Sequence, residues 1–238
     1  MQRFFLETFK LGEKELILQD QEIIYQLIKV LRSKLQDEVI FFDGKSFIDF
    51  KYKITSIDKK NIIFNFVEKN QKEIKDYKLI LFQSLPNKID KIEEIIQKGV
   101  EVGFSEFNFF RAERSQDLKL SQNKIERFNK IIKEAIELSN RNIIPKLNFL
   151  TKLDLQNISG EKLFFHTDFN NSKKLNSLNL NFKQNISIFI GPEGGFSDKE
   201  NDNFIKNNFI KINLGNNILR TETAGIVVGF YILQSYLG

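Results

Sequence analysis

From residue 77 onward, short apolar runs alternate with longer segments of helical periodicity, and this alternation restricts the fold more than any other feature. The runs are "YKLILFQSL", "FNFF", "EKLFFHT", "ISIFIG" and "FIKINLG". Between them, "NKIDKIEEIIQKGVEVG" places Ile89, Ile92, Ile96 and Val100 on one helical face. "QNKIERFNKIIKEAIELSNR" does the same with Ile125, Phe128, Ile132, Ala135 and Ile136, and "ETAGIVVGFYILQSYLG" closes the chain as an apolar helix. Strands separated by helices of this length predict an α/β domain with a mostly parallel sheet. The polar segment 168–185 predicts a surface connection.

The first seventy residues follow another rule. "ELILQ", "EVIFFDG", "SFIDFKYKITSI" and "NIIFNFVE" predict short strands, with Asp43-Gly44 as a turn. "DQEIIYQLIKVLRSKL" between the first two has helical spacing, with Asp20 as its N-cap. Several strands with one helix predict a small β-barrel. The charged stretch "EKNQKEIKD" at 68–76 marks the boundary, giving domains at 1–70 and 71–238.

Composition removes whole classes of chemistry. The 238 residues contain no cysteine, which excludes disulfides, thiolate nucleophiles and Cys-ligated zinc, and His166 is the single histidine. A net charge of +5 favours a polyanionic partner only if the basic groups cluster. The start has no basic segment followed by an apolar one, and the longest apolar run, "AGIVVGFYIL", is about half a bilayer span. A cytoplasmic protein without a membrane or metal partner is expected. Only seven arginines accompany the lysines, so each is a hint that a planar, forked cation is required.

Two glycine-bearing loops end strands. "IGPEGGFSDKE" lacks the Gly-Lys-Ser/Thr ending of a phosphate loop and the spacing of a dinucleotide loop. Pro192 removes an N–H and Glu193 repels an anion, so Gly191, Gly194 and Gly195 suit close backbone approach to a neutral or cationic ligand. S-adenosylmethionine, a sulfonium without phosphate, has those properties. A plain strand–helix turn with Ser197 as the cap is the alternative. "LGNNILRTETAG" places Arg220, Thr221, Glu222 and Thr223 before the last helix, where either threonine can cap it and charge is costly unless paired or used.

Together these loops resemble the signature of the ribosomal RNA small subunit methyltransferase E family, in the SPOUT class. "KVLR", "FFDG", "KIDKIEEIIQKGVEVG", "ERS" and "EAIELSNRNIIP" follow in the family's order over most of the chain. The chain departs from the pattern at Gln26, where the family has His, at Gln36, where it has Gly, and at Leu138 in the "EQ" element. The resemblance implies a PUA-like RNA-binding barrel and a trefoil-knotted catalytic domain that forms a homodimer. It implies methylation of N3 of one uridine of 16S ribosomal RNA, position 1498 in standard numbering, in the small subunit. Loss of the N3 proton and charge on O2 and O4 then point to Arg220 as stabiliser and to Glu222 as proton acceptor or as a group that only orients Arg220. Gly191, Pro192, Glu193, Gly194, Gly195, Leu214, Gly215, Ile218, Leu219 and Thr223 would wall the cofactor. Arg32, Arg111, Arg114, Arg141, Lys88 and Lys91 would grip RNA. Gly225 and Gly229 form a small-x-x-x-small face, for core packing or for the dimer. Competing readings are a SPOUT enzyme for transfer RNA or a ribose 2′-hydroxyl, and a non-catalytic ribosome-assembly factor.

Overall fold

The computed structural model describes residues 1–7, 11–74, 77–168 and 172–237. Two compact units are present. One comprises Met1–Ile74 and Ile136–Ile144, the other Lys75–Ala135 and Pro145–Gly238. Residues 75–76 of the expected boundary and 169–171 of the expected surface connection lie outside the described residues.

The first unit is a five-stranded sheet of β1 (Gln2–Phe5), β2 (Glu15–Leu18), β3 (Glu38–Phe42), β4 (Ile48–Ile57) and β5 (Ile62–Gln71). The order is β1-β3-β4-β5-β2, antiparallel except for the parallel β1–β3 pair. Phe4, Leu16, Leu18, Val39, Phe41, Tyr52, Ile54, Ile62 and Phe64 supply its core. β1 escapes a pattern search because four residues give too few alternations to read. β5 runs on to Gln71, so the charge at 68–71 is strand edge and not linker.

Asp20 caps α1 (Gln21–Tyr25), its carboxylate accepting from the N–H groups of Glu22 and Ile23. The helix is shorter than its apolar spacing predicts. It widens to a π-helical turn over Gln26–Val30, where the N–H of Leu31 reaches back to the carbonyl of Gln26. Arg32 follows at φ 55° and stops it. Gln36 stands at φ 74°, left-handed backbone that glycine enters without steric cost. The glycine of the resembled pattern at this position has that physical reason.

The segment 136–144 returns to this unit, which no periodicity announces. Asp49, only 5 % exposed, is its anchor. Arg3 Nη2 lies 2.8 Å and Asn142 Nδ2 2.7 Å from Asp49 Oδ1, and Lys72 Nζ lies 3.2 Å from Oδ2. Arg3 also donates to Asn140 Oδ1 and to the carbonyl of Arg141, and its guanidinium lies over the Phe42 ring. Burial lowers the Arg3 pKa, and Asp49 partly restores it.

The second unit is an all-parallel sheet of seven strands: β6 (Leu79–Ser84), β7 (Glu106–Phe110), β8 (Lys146–Leu150), β9 (Glu161–Phe165), β10 (Lys173–Lys174), β11 (Ile186–Ile190) and β12 (Ile210–Asn213). The order is β10-β12-β9-β11-β6-β7-β8. β8 and β10 lack an apolar run because they flank the sheet. The helices are α2 (Ile89–Glu101), α3 (Gln122–Leu138), α4 (Asp198–Lys206) and α5 (Thr221–Leu237). β11 is buried at every position, as a central parallel strand requires. Phe82 and Phe189 stack at 4.2 Å in its core, beside Phe164, Phe196, Phe204 and Phe209.

α5 packs against α2, β6 and β11. Its glycine face points inward. A Cβ on Gly225 would meet Leu81 Cδ1 at 3.3 Å, and one on Gly229 would lie 2.7 Å from Phe104 Cζ. The glycines therefore serve core packing, and the other face of the helix exposes Val227, Phe230 and Tyr231. Gly229→Ala should lower the unfolding free energy by about 1–3 kcal/mol through overpacking. Urea denaturation checks this, with no loss as the contrary result.

Candidate functional site

β12, β9, β11 and β6 are neighbours and run in one direction, so their carboxyl ends open on one edge. That edge is where open parallel sheets hold ligands. The turns after β9, β11 and β12 meet there around a cleft of about 780 Å³. Its walls include His166, Thr167, the run Ile190–Phe196, and Asn213–Thr221, with Lys91 and Arg114 contributed from elsewhere in the unit.

Each turn is fixed by a specific bond. Thr221 Oγ1 donates to the carbonyl of Gly191 at 2.6 Å and accepts from Gln83 Nε2 at 2.8 Å, joining the loop after β11 to the first residue of α5. Among the described residues neither threonine caps α5 with its side chain; the carbonyl of Arg220 receives the N–H groups of Thr223 and Ala224. Asn213 Oδ1 accepts from the N–H of Gly215, an Asx turn that sets Gly215 at φ 107°. Gly195 stands at φ 68°, and a Cβ at either glycine would meet nothing within 4 Å, so both present open backbone.

The loop 191–197 is held from three sides. Glu193 Oε1 accepts from Lys91 Nζ at 2.6 Å and from the N–H of Asn87 at 3.1 Å. Burial alone would raise the Glu193 carboxyl, but these donors hold it below its ordinary value. Arg114 Nη1 donates to the carbonyl of Gly194 at 2.9 Å. Ser197 caps α4 in a full capping box with Glu200, and its hydroxyl donates to Glu113. Glu200 also accepts from the N–H of Glu113.

Of the residues expected to wall a ligand, Gly191, Pro192, Glu193, Gly194, Gly195, Leu214, Gly215, Ile218 and Leu219 line the cleft, as does Arg220. Thr223 does not. It is exposed on the first turn of α5, because two residues along a helix turn about 200° and only Thr221 faces inward. Arg220 is exposed and makes no side-chain hydrogen bond or ion pair among the described residues. Glu222 is buried beside Lys91 at 3.5 Å and is not on the cleft wall. Among the described residues Arg220 and Glu222 form no ion pair with each other, and Lys91 supplies the cation that a buried carboxylate needs.

Comparison with known proteins agrees with this geometry. The model of the RNA methyltransferase domain matches residues 72–232. The chain is 34 % identical over 221 residues to ribosomal RNA small subunit methyltransferase E of Buchnera aphidicola, covering 90 % of this chain and 85 % of that protein. It is 30 % identical to the Bacillus subtilis protein of the same name, covering 94 % and 93 %. This chain belongs to the ribosomal RNA small subunit methyltransferase E family. A solved member from Neisseria gonorrhoeae, bound to S-adenosyl methionine, is 26 % identical with a TM-score of 0.84 over 99 % of this chain and 98 % of that one.

The family elements can now be placed. "GPEGG" and the Leu219–Thr221 part of "LRTET" line the cleft, and "ERS" buttresses it through Glu113 and Arg114. Arg32 and Arg141 belong to the first unit. Burial pushes the Arg141 guanidinium down to about 10. Arg111 is paired with Asp117 at 2.6 Å on the surface, and Lys88 is exposed at the start of α2. Among the described residues no cluster of three His, Asp or Glu could hold a metal ion, and no helix is long and apolar enough to cross a membrane. Gln83 and Asn213 went unremarked in the sequence, although a polar residue at the end of an apolar strand is a visible signal.

His166, which the sequence leaves open between surface and site, lies on the cleft wall. Its Nδ1 accepts from the N–H of Asp168 at 3.0 Å, so Nε2 carries the proton. Asn201 Nδ2 lies 3.1 Å from Nε2 and its buried Oδ1 has no partner among the described residues, so the carboxamide turned end for end gives this tautomer the acceptor it requires and Oδ1 a donor. Burial first, then Lys211 and Arg114, lower the His166 pKa against the opposing effects of Asp168 and Asp198. A lowered folded-state value means stability is complete above the unfolded value and is lost as pH falls through the folded one. The wild type should therefore lose more unfolding free energy than His166→Gln between pH 7 and 5. Parallel losses in chemical denaturation at both pH values would contradict this.

Proposed function

We propose that this chain transfers the methyl group of S-adenosylmethionine to N3 of one uridine, position 1498 in standard numbering, of 16S ribosomal RNA in the small subunit. The observation that carries this reading is the convergence of three backbone-rich turns at the carboxyl edge of parallel strands, with a free guanidinium at the rim. The cleft volume lies within the range of cofactor sites. Open glycines at 195 and 215, apolar Ile190, Leu214 and Leu219, and the carboxylate of Glu193 suit an adenosine with a cationic sulfonium. When bound, that cofactor supplies an electrophilic methyl group.

The chain's own residues then have distinct tasks. The backbone of 191–195 and 214–219 holds the nucleoside, and Glu193 favours positive charge nearby. Arg220 donates to the uracil oxygen on which charge develops as the N3 proton leaves, an interaction strongest in the transition state. Glu222 is buried off the cleft wall, 3.5 Å from Lys91, which lines it. As proton acceptor it would need a relay, so orientation of Lys91 is its better-supported task.

The first unit is proposed to be a PUA-like barrel that grips RNA, with Arg32 in it and Lys88 and Arg111 on the second unit as contacts. The second unit is proposed to carry the trefoil knot of the SPOUT class and to dimerise in the cytoplasm. Val227, Phe230 and Tyr231, on the face of α5 away from the core, support a second copy as cover.

Arg220→Ala should lower kcat for methyl transfer by about 10²-fold or more while leaving the cofactor Kd within a few-fold. Unchanged turnover would remove Arg220 from the chemistry. Phe230→Asp should shift sedimentation to the monomer, whereas an unchanged sedimentation coefficient would exclude α5 from the interface.

A further inference from the structure

We infer that Lys91 is a positioning residue that ties the 191–195 loop to the start of α5 and so presets the cofactor cleft. The inference rests on the cofactor reading above and assigns a task to the same site. Its ground is geometric. Lys91 Nζ lies 2.6 Å from Glu193 Oε1 in the loop and 3.5 Å from Glu222 Oε2 in the first turn of α5. One ammonium on α2 therefore bridges two elements that are 29 residues apart in sequence.

Three further features support a tether over a surface charge. The Glu222 side chain is 7 % exposed, and Lys91 is its only ion-pair partner among the described residues. Glu193 docks on the N-terminal end of α2, taking the N–H of Asn87 along with Lys91, so the positive helix end and the ammonium act together. Lys91 itself is mostly covered, in contrast to exposed Lys88 one turn earlier. Burial alone pulls Lys91 down, yet its bonds to Glu193 and Glu222 hold it above the ordinary lysine value. An RNA phosphate would have to compete with two carboxylates already in place.

The test uses the full chain and four proteins: wild type, Lys91→Met, Lys91→Arg, and Lys91→Met with Glu222→Gln. Two readouts are amide hydrogen exchange of Gly195, whose N–H is bound to the carbonyl of Pro192, without ligand, and S-adenosylmethionine affinity by calorimetry. Lys91→Met should speed exchange of this amide at least tenfold and weaken the cofactor at least tenfold, with kcat at saturation changed less than KM. Lys91→Arg should restore both. The double variant removes the unpaired buried carboxylate, so it should recover the denaturation midpoint while the loop still exchanges fast. Unchanged exchange in Lys91→Met or in the folded double variant would overturn the inference. So would a reduced salt slope for RNA binding with loop exchange unchanged, since Lys91 would then be a phosphate contact. Absence of cofactor binding by the wild type would contradict the proposed function instead, and exchange would still decide the tether.

Discussion

Parallel pairing of β9, β11 and β12 places the turns at 166–168, 191–197 and 214–220 side by side, although they are far apart in sequence. The strands of a parallel sheet buried on both faces are mostly apolar, with Asn108 in β7 and Ser187 in β11 as buried exceptions, and further polar groups stand at the strand ends. Gln83, His166 and Asn213 are such groups, each at the carboxyl end of its strand, and each is consumed in fixing a turn. The cleft is the space those fixed turns leave between them.

Side chains and backbone divide the work. Thr221, Lys91, Arg114 and Ser197 bind the glycine-rich loop from outside, and the loop's own open backbone faces inward. Glycine at 195 and 215 lets the chain take left-handed turns and leaves space where a Cβ would stand. Arg220 on the same wall has no side-chain hydrogen bond or ion pair among the described residues. A guanidinium at a rim that no structural bond claims is available to a substrate.

Much of this was legible in the sequence. The alternation of apolar runs and helical segments after residue 77 predicts the parallel sheet, and "GPEGG" with "LRTET" locates the cleft before any geometry is known. Ser197 and Asp20 read correctly as caps because capping is local chemistry. What was not legible depends on contacts distant in sequence. Lys91 reads in sequence as an RNA-gripping lysine, and nothing near it announces Glu193 or Glu222. Thr223 and Thr221 are equivalent as letters, and only the helix phase separates them. The return of 136–144 to the first unit hangs on Asp49 and Arg3, which lie about ninety and more residues away.

The most direct test is transfer of labelled methyl from S-adenosylmethionine to small subunits lacking the modification, followed by nucleoside analysis of the RNA. The account predicts label in 3-methyluridine of 16S RNA and in no other nucleoside. Label in a ribose-methylated nucleoside, or in transfer RNA, would contradict it.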